Sequence, residues 1–203
     1  MLNVAIGDAA IEFEGREYIL RPSFYSMQRV GSPEEIKDTA EWCFSASQRI
    51  AAGQMLIRDE LYACLHVLQS CCDLDIPHEL FGYYDVDEIN EKCWIFVKGA
   101  APVENLVTLA NLMLNNGMNG KPSAFMMRRA KTSKTKPSLF DPLEFVSSAV
   151  CHLGLSFNDA WKLTMIQLQR AIENKFPEDK KKADSMMTAA ELLALKAKIK
   201  GRK

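Results

Sequence analysis

The chain has 203 residues and a formal net charge of −1, and 48% of its residues are hydrophobic. This length and composition are typical of a folded protein with one large core or two small ones, and they exclude a mainly disordered chain. No apolar run reaches the ~18–20 residues that a membrane-spanning helix needs. We therefore expect a cytosolic protein without a signal peptide or a membrane partner, whose six cysteines are reduced.

The charges are divided unevenly along the chain. Residues 1–120 contain 8 Lys and Arg against 18 Asp and Glu, a net charge of −10, whereas residues 121–203 contain 17 against 8, a net charge of +9. An acidic N-terminal part and a basic C-terminal part attract each other within one molecule or between copies, which makes a homo-oligomer one interpretation. Contact between the basic part and an acidic partner is the alternative.

The first 53 residues predict a hairpin followed by helices. Apolar residues alternate with polar ones between Ala9 and Leu20, with Gly15 at the turn, which predicts a β-hairpin. A short helix is predicted from Ser23 to Val30. The run at 32–35, Ser-Pro-Glu-Glu, supplies an N-cap, a proline at the first helical position and a glutamate at the third. A second helix therefore begins there and ends before Gly53.

Two more helices are predicted in the middle of the chain. One begins at Asp59, and the other runs from Pro102 to about Asn116, with Gly117 as its stop. Residues 75–84 contain proline and glycine and predict a loop. The apolar run 93–97, Cys-Trp-Ile-Phe-Val, has no period that separates helix from strand, so both assignments stay open.

A polar, basic stretch at 131–138 predicts a linker. We divide the chain into a domain of hairpin and helices at 1–130, a basic linker at 131–139, and a small helical C-terminal domain with a basic tail at 140–203. The predicted fold class is mainly α. An N-terminal β-hairpin is followed by a helical bundle, a basic linker and a small helical C-terminal part.

The C-terminal part carries the start and stop signals of three short helices. Asp141 precedes a proline, Ser156 precedes Asp159 by three residues, and Thr164 precedes Gln167 by three, all of which are typical N-cap arrangements. Gly154 ends the first helix, because the left-handed conformation of a C-cap costs glycine little.

This pattern resembles the tail assembly chaperones of long-tailed bacteriophages of the siphovirus type. The residues that carry the resemblance are Leu153, Gly154, Ser156, Trp161, Leu163, Thr164, Leu168 and Phe176-Pro177. A weaker likeness lies in residues 15–31. Together the two stretches cover about a third of the chain. Residues 75–100 match no part of the family pattern.

The resemblance implies a function in virus assembly. Such chaperones bind the tape-measure protein and promote assembly of the tail tube in the host cytoplasm, and they are not retained in the virion. The tape-measure protein is thus the implied partner, and the tail-tube protein is a further one. The resemblance implies a role in the fold for Leu153, Gly154, Ser156, Trp161, Leu163 and Thr164. It identifies no residue that contacts the client.

A surface for that client is suggested by the apolar run 106–114 and the methionines after it. Placed on a helix, the run is apolar on almost every side, which is more apolar surface than a single buried face needs. Methionine side chains adapt to varied apolar partners. An ordinary core helix is the alternative. The candidate partner-binding residues are Leu109, Leu112, Met113, Met126 and Met127.

No residue pattern predicts an enzyme, a cofactor or a metal site. The cysteines and histidines between 64 and 78 fit no zinc-binding spacing. The basic tracts are not interleaved with aromatic residues, so we do not expect nucleic acid as a partner. Two alternative functions remain: a helix-turn-helix DNA-binding protein built on the turn at Gly154, and a minor structural protein of the tail.

Overall fold

The computed structural model of the protein describes residues 2–86, 94–120 and 139–176. A short 3-10 turn at Val4–Ile6 precedes the first strand, and a π-helical turn, Asn115–Asn119, continues the fifth helix. The remaining elements are β1 (Ala9–Phe13), β2 (Arg16–Leu20), α1 (Phe24–Val30), α2 (Pro33–Ala51), α3 (Arg58–Cys71), α4 (His78–Phe81), β3 (Gly82–Val86), β4 (Trp94–Lys98), α5 (Val103–Leu114), α6 (Pro142–Leu153), α7 (Phe157–Trp161) and α8 (Met165–Lys175).

The predicted fold class needs a correction, because strands are not confined to the N-terminal hairpin. A second two-stranded antiparallel sheet, β3–β4, lies between the helices, with Tyr84 opposite Phe96. The apolar run at 93–97 had no period that separated helix from strand. Its pairing with Gly82–Val86, of which residues 82–84 were predicted as loop, decides the assignment. The fold is therefore helical with two separate β-ribbons.

The first ribbon follows the predicted hairpin. Phe13 pairs with Arg16 across a two-residue turn in which Glu14 and Gly15 both have positive φ, at 50° and 72°. Two positive φ angles are the requirement of the tight turns that match the twist of a hairpin. The ribbon packs through Tyr18 and Leu20 against the main core.

The main core lies between α2, α3 and α5, with the first ribbon and α1 closing it. α2 begins with the capping box expected at Ser32, whose side chain accepts from the N–H of Glu35 while Glu35 accepts from the N–H of Ser32. Cys43 of α2, Leu61 and Leu68 of α3 are fully buried in this core. Burial of free cysteine as a small apolar side chain is common in such cores.

A second, smaller core lies between α1 and the C-terminal helices. Phe24 of α1 is fully buried there and stacks on Phe145 of α6, with ring centroids 5.8 Å apart. The N–H of Phe24 donates to the carbonyl of Leu163 at 2.9 Å. Residues 140–176 therefore pack directly on α1.

The division of the chain into domains remains a prediction. Residues 131–138 of the predicted linker, and the helix predicted from residue 188, lie outside the described residues.

Candidate functional site

The structure separates the five candidate partner-binding residues. Met113 is fully buried in the main core, Leu109 is half-buried against that core, and Leu112 is 43% exposed. Met126 and Met127 lie outside the described residues. The expectation that Met113 contacts a partner is wrong for this fold, because α5 is enclosed by α2 and α3. The predicted surface over 106–127 is thus a core helix over most of its described length.

An apolar cavity of about 410 Å³ lies at the N-terminal end of α5. It is enclosed by the connection between α2 and α3, by the inner face of the β3–β4 ribbon, and by the first turn of α5. Cavities of this size and apolar character are typical of ligand and side-chain binding sites. The apolar side chains that line it are Ile50, Met55, Leu56, Leu61, Tyr84, Phe96, Pro102 and Val103.

The local sequence explains how the cavity forms. Gly53 has a φ of 67° and ends α2, so the chain turns back toward α3 through residues 54–57. The Tyr84 hydroxyl donates to the carbonyl of Leu56, and the Tyr84 ring packs on Phe96 with centroids 5.4 Å apart. These contacts hold the connection and the ribbon against each other along one wall of the cavity.

Large exposed apolar side chains lie in the cavity lining, at Met55, and within two residues of lining residues along the chain, at Ile57 and Trp94. Met55 is 71% exposed, Trp94 is 49% exposed and Ile57 is 39% exposed. The Arg58 guanidinium lies 4.6 Å from the centre of the Trp94 ring, in a cation–π contact that links α3 to β4. An exposed apolar patch around a cavity marks an interaction site more often than isolated exposed residues do. We call Met55, Ile57, Trp94 and the cavity lining the apolar site.

A buried carboxylate joins α2 to the start of α3, next to the lining residue Leu61 in the sequence. The Glu60 side chain is fully buried and accepts hydrogen bonds from Ser45 Oγ at 2.6 Å, Arg49 Nε at 2.8 Å and the Ile57 N–H at 3.0 Å. Burial raises the pKa of Glu60, but the hydrogen bonds from Ser45, Ile57 and Arg49 outweigh it and hold the pKa below its ordinary value. The ionised carboxylate therefore ties the start of α3 to α2.

The lining can hold an apolar side chain but offers little chemistry. Its polar members are Gln54, Lys98 and Glu104. Across the residues that the structure describes, no group of three or more His, Cys, Asp and Glu could hold a metal ion. Within the same residues, no helix is long and apolar enough to cross a membrane.

The sequence reasoning missed the apolar site. Met55, Leu56 and Ile57 lie two to four residues after Gly53, and three consecutive apolar residues in a helix connection are a signal that could have been used. Trp94 belongs to the apolar run at 93–97, for which the sequence did not distinguish helix from strand. Its exposure depends on strand pairing, which the local sequence does not determine.

The motif residues behind the resemblance lie at the junction of α6, α7 and α8. Gly154 has a φ of 72° as the C-cap of α6, and Ser156 caps α7 by accepting from the N–H of Asp159. Thr164 is fully buried and caps α8 in a capping box with Gln167. Leu153 and Leu163 are half-buried against the second core.

Trp161 is an apolar member of this motif junction that is accessible to solvent on one side. It is half-buried and meets Phe157 edge to face, with centroids 5.8 Å apart. It also lines two neighbouring grooves, of about 760 and 390 Å³, which share Gln28 on α1. The residue therefore has one side on the second core and another open to solvent.

Comparison with known proteins gives one family. A family model described as "Family of unknown function (DUF6246)" matches residues 37–191, which is more than half of the chain. The match includes both the apolar site and the motif residues. No curated protein matches, and no solved structure matches.

Proposed function

The chain belongs to the DUF6246 family, whose function is unknown, and we propose that it is a phage tail assembly chaperone. In this proposal it binds the tape-measure protein in the host cytoplasm, promotes assembly of the tail tube around it, and is not retained in the virion. The resemblance of residues 153–164 to such chaperones supports the proposal. The apolar site supplies a physical means of holding an apolar client.

The single observation that carries the binding role is the exposed apolar rim beside an apolar cavity. Met55, which lines the cavity, is 71% exposed, and Trp94, two residues before the lining residue Phe96 on β4, is 49% exposed. A soluble protein gains little from such exposure unless a partner covers it. An amphipathic helix of the client would cover the rim with its apolar face and insert one large side chain into the cavity.

The apolar site replaces the surface predicted over residues 106–127. Leu112 is exposed but its neighbour Met113 is enclosed in the core, so the described part of that stretch offers one accessible apolar side chain rather than a patch. The apolar site instead presents its side chains around a concave wall. Methionine at its edge suits a client whose helices vary in sequence along their length.

The proposal is tested with Met55→Glu and a matched control, Val4→Glu. The two residues are 71% and 72% exposed, but Val4 lies in the 3-10 turn at the N-terminus and does not line the cavity. A charge at the rim must lose its hydration when the client helix covers it. We expect Met55→Glu to weaken retention of the tape-measure protein about tenfold or more, a loss of about 1.4 kcal/mol.

The readout is co-purification of the tape-measure protein with each tagged variant after co-expression. Circular dichroism must first show that both variants fold. Equal retention by Met55→Glu and the wild type would remove the apolar site from the proposal. Equal loss with Val4→Glu would show that the effect is not local to this site.

A further inference from the structure

The β4 strand has an open edge with unusually apolar composition. Its sequence, Trp-Ile-Phe-Val-Lys, contains one charge, at its last position, and four of its five residues are exposed. Among the described residues, the sheet consists of β3 and β4 alone. Proteins usually protect such edges with charges, proline or a covering element, because an open edge pairs with other strands. Within the described strand, the one such protection is the charge of Lys98 at its end.

Hydrogen bonds on β3 show which backbone groups of β4 face outward. The N–H of Gly82 donates to His78, the carbonyl of Tyr84 accepts from Tyr62, and the N–H of Val86 donates to the Asp85 side chain. These three residues therefore point their backbone groups away from β4. In an antiparallel ladder the directly opposite residues do the same.

The residues opposite them on β4 are Trp94, Phe96 and Lys98. Their N–H and C=O groups face the open side of the ribbon. Within the described part of the chain, no hydrogen bond is made to these backbone groups. On β3, by contrast, Tyr62 and the Asp85 side chain occupy part of the outer edge. The free edge of this sheet is therefore the β4 edge.

We propose that the β4 edge is the interface with a second copy of this chain, joined as an antiparallel pair about a two-fold axis at Phe96. In this register Phe96 of one copy lies opposite Phe96 of the other, and Trp94 of each copy lies opposite Lys98 of the other. Every outward N–H and C=O group of the three residues then has a partner. The two ribbons become one four-stranded sheet, which meets the usual minimum for stability better than two isolated ribbons.

Charge complementarity supports the second copy as the occupant. Lys98 is the strand's single charge, and the two-fold register places each Lys98 opposite a Trp94 rather than opposite the other lysine. Two lysines in direct opposition would repel each other, and this register avoids that contact. The exposed outer face also pairs Ile95 with Val97 of the second copy, a favourable pair of β-branched residues.

A helical client does not suit this edge. A helix satisfies its backbone groups internally and has none to offer a strand. The occupant of this edge therefore differs from the proposed client, although Trp94 belongs to both surfaces, and the test uses the purified protein alone.

The test is the molar mass in solution, measured by light scattering over a dilution series. We expect the wild type to show twice the chain mass at high concentration. Two double variants put like charges opposite each other across the interface: Ile95→Lys with Val97→Lys, and Ile95→Glu with Val97→Glu. Each alone should be monomeric, and an equimolar mixture of the two should recover the dimer mass.

The matched control is Leu143→Lys with Leu74→Lys, which adds the same charge at positions 48% and 44% exposed but remote from β4 in the sequence. It should stay dimeric. A monomeric wild type at all concentrations up to millimolar would overturn the proposal, as would a dimer that survives in both like-charged variants.

Amide exchange of the wild type gives a second measurement that needs no variant. The N–H groups of Phe96 and Lys98 should be protected at dimer concentrations and lose that protection on dilution. If the protein is dimeric but these amides exchange at the rate of open amides, the interface lies elsewhere and the proposal fails.

Discussion

The Thr164 hydroxyl donates a hydrogen bond to the carbonyl of Ile6 at 2.8 Å, which joins the start of α8 to the N-terminal turn across 158 positions of the chain. The same hydroxyl oxygen accepts from the N–H of Gln167 and caps α8. One buried side chain therefore both starts a helix and attaches the C-terminal helices to the N-terminus.

Replacing this threonine should weaken the whole fold. Thr164→Val keeps the approximate shape but removes the cap and leaves the Ile6 carbonyl without its donor. We expect a loss of about 1–3 kcal/mol in the free energy of unfolding. Urea denaturation followed by circular dichroism measures it. Thr108→Val is the control, because the Thr108 hydroxyl donates to the backbone carbonyl of Glu104 on an exposed helix face. Its removal should lower the free energy of unfolding by at most about 0.5 kcal/mol.

Acid should destabilise the protein through Glu60. Because the hydrogen bonds to Glu60 hold its folded pKa below the ordinary value of 4.5, its ionised form contributes stability above that pH. This stability should fall as the pH drops below 4.5 and passes the folded pKa. Glu60→Gln should lose about 1.5–3 kcal/mol at neutral pH and show a flatter dependence on acid.

The measurement is urea denaturation of the wild type and Glu60→Gln from neutral pH down to the acid limit. Glu34→Gln serves as a control at an exposed carboxylate. Parallel curves for the wild type and Glu60→Gln across the acid range would show that the buried carboxylate does not determine the acid response.

Thiol labelling should separate the cysteines by burial. Cys64 donates a hydrogen bond to Cys43 at an Sγ–Sγ distance of 3.7 Å, and this bond, together with burial, raises the pKa of Cys64. Burial raises the pKa of Cys71 to about 12. Thiolates are the reactive form, so both should resist alkylation in the folded protein. Among the five cysteines that the structure describes, Cys151 is the exposed one and should react first. Peptide mass spectrometry after timed labelling tests this order, and early labelling of Cys64 would contradict it.

Duplex DNA should bind weakly and without sequence preference. Contacts from basic residues to phosphates are lost as salt rises, so fluorescence anisotropy should show binding at low salt that disappears near physiological salt. A preferred sequence that survives physiological salt would replace the chaperone proposal with the helix-turn-helix alternative.

Local signals predicted much of the fold. Ser32, Asp141, Ser156 and Thr164 all start helices, and Gly154 ends one, because caps depend on a few neighbouring residues. The β4 strand could not be assigned in the same way, since an apolar run without a period fits either structure until its partner strand is known.

The burial of Met113 was missed for a related reason. A helix that is apolar all round is either enclosed or partly exposed, and only the packing of α2 and α3 around Met113 decides between them. The burial of the Glu60 carboxylate could not be predicted from the sequence either. Its partners Ser45 and Arg49 lie 15 and 11 positions away, and no short motif relates them.

The central claim is that this chain keeps an apolar helical client soluble, and the soluble fraction of the tape-measure protein tests it most directly. The tape-measure protein is expressed alone, with the wild-type chain, and with Met55→Glu. We predict that it is insoluble alone, soluble with the wild type, and largely insoluble with folded Met55→Glu. A tape-measure protein that stays insoluble beside well-expressed wild type would contradict the claim.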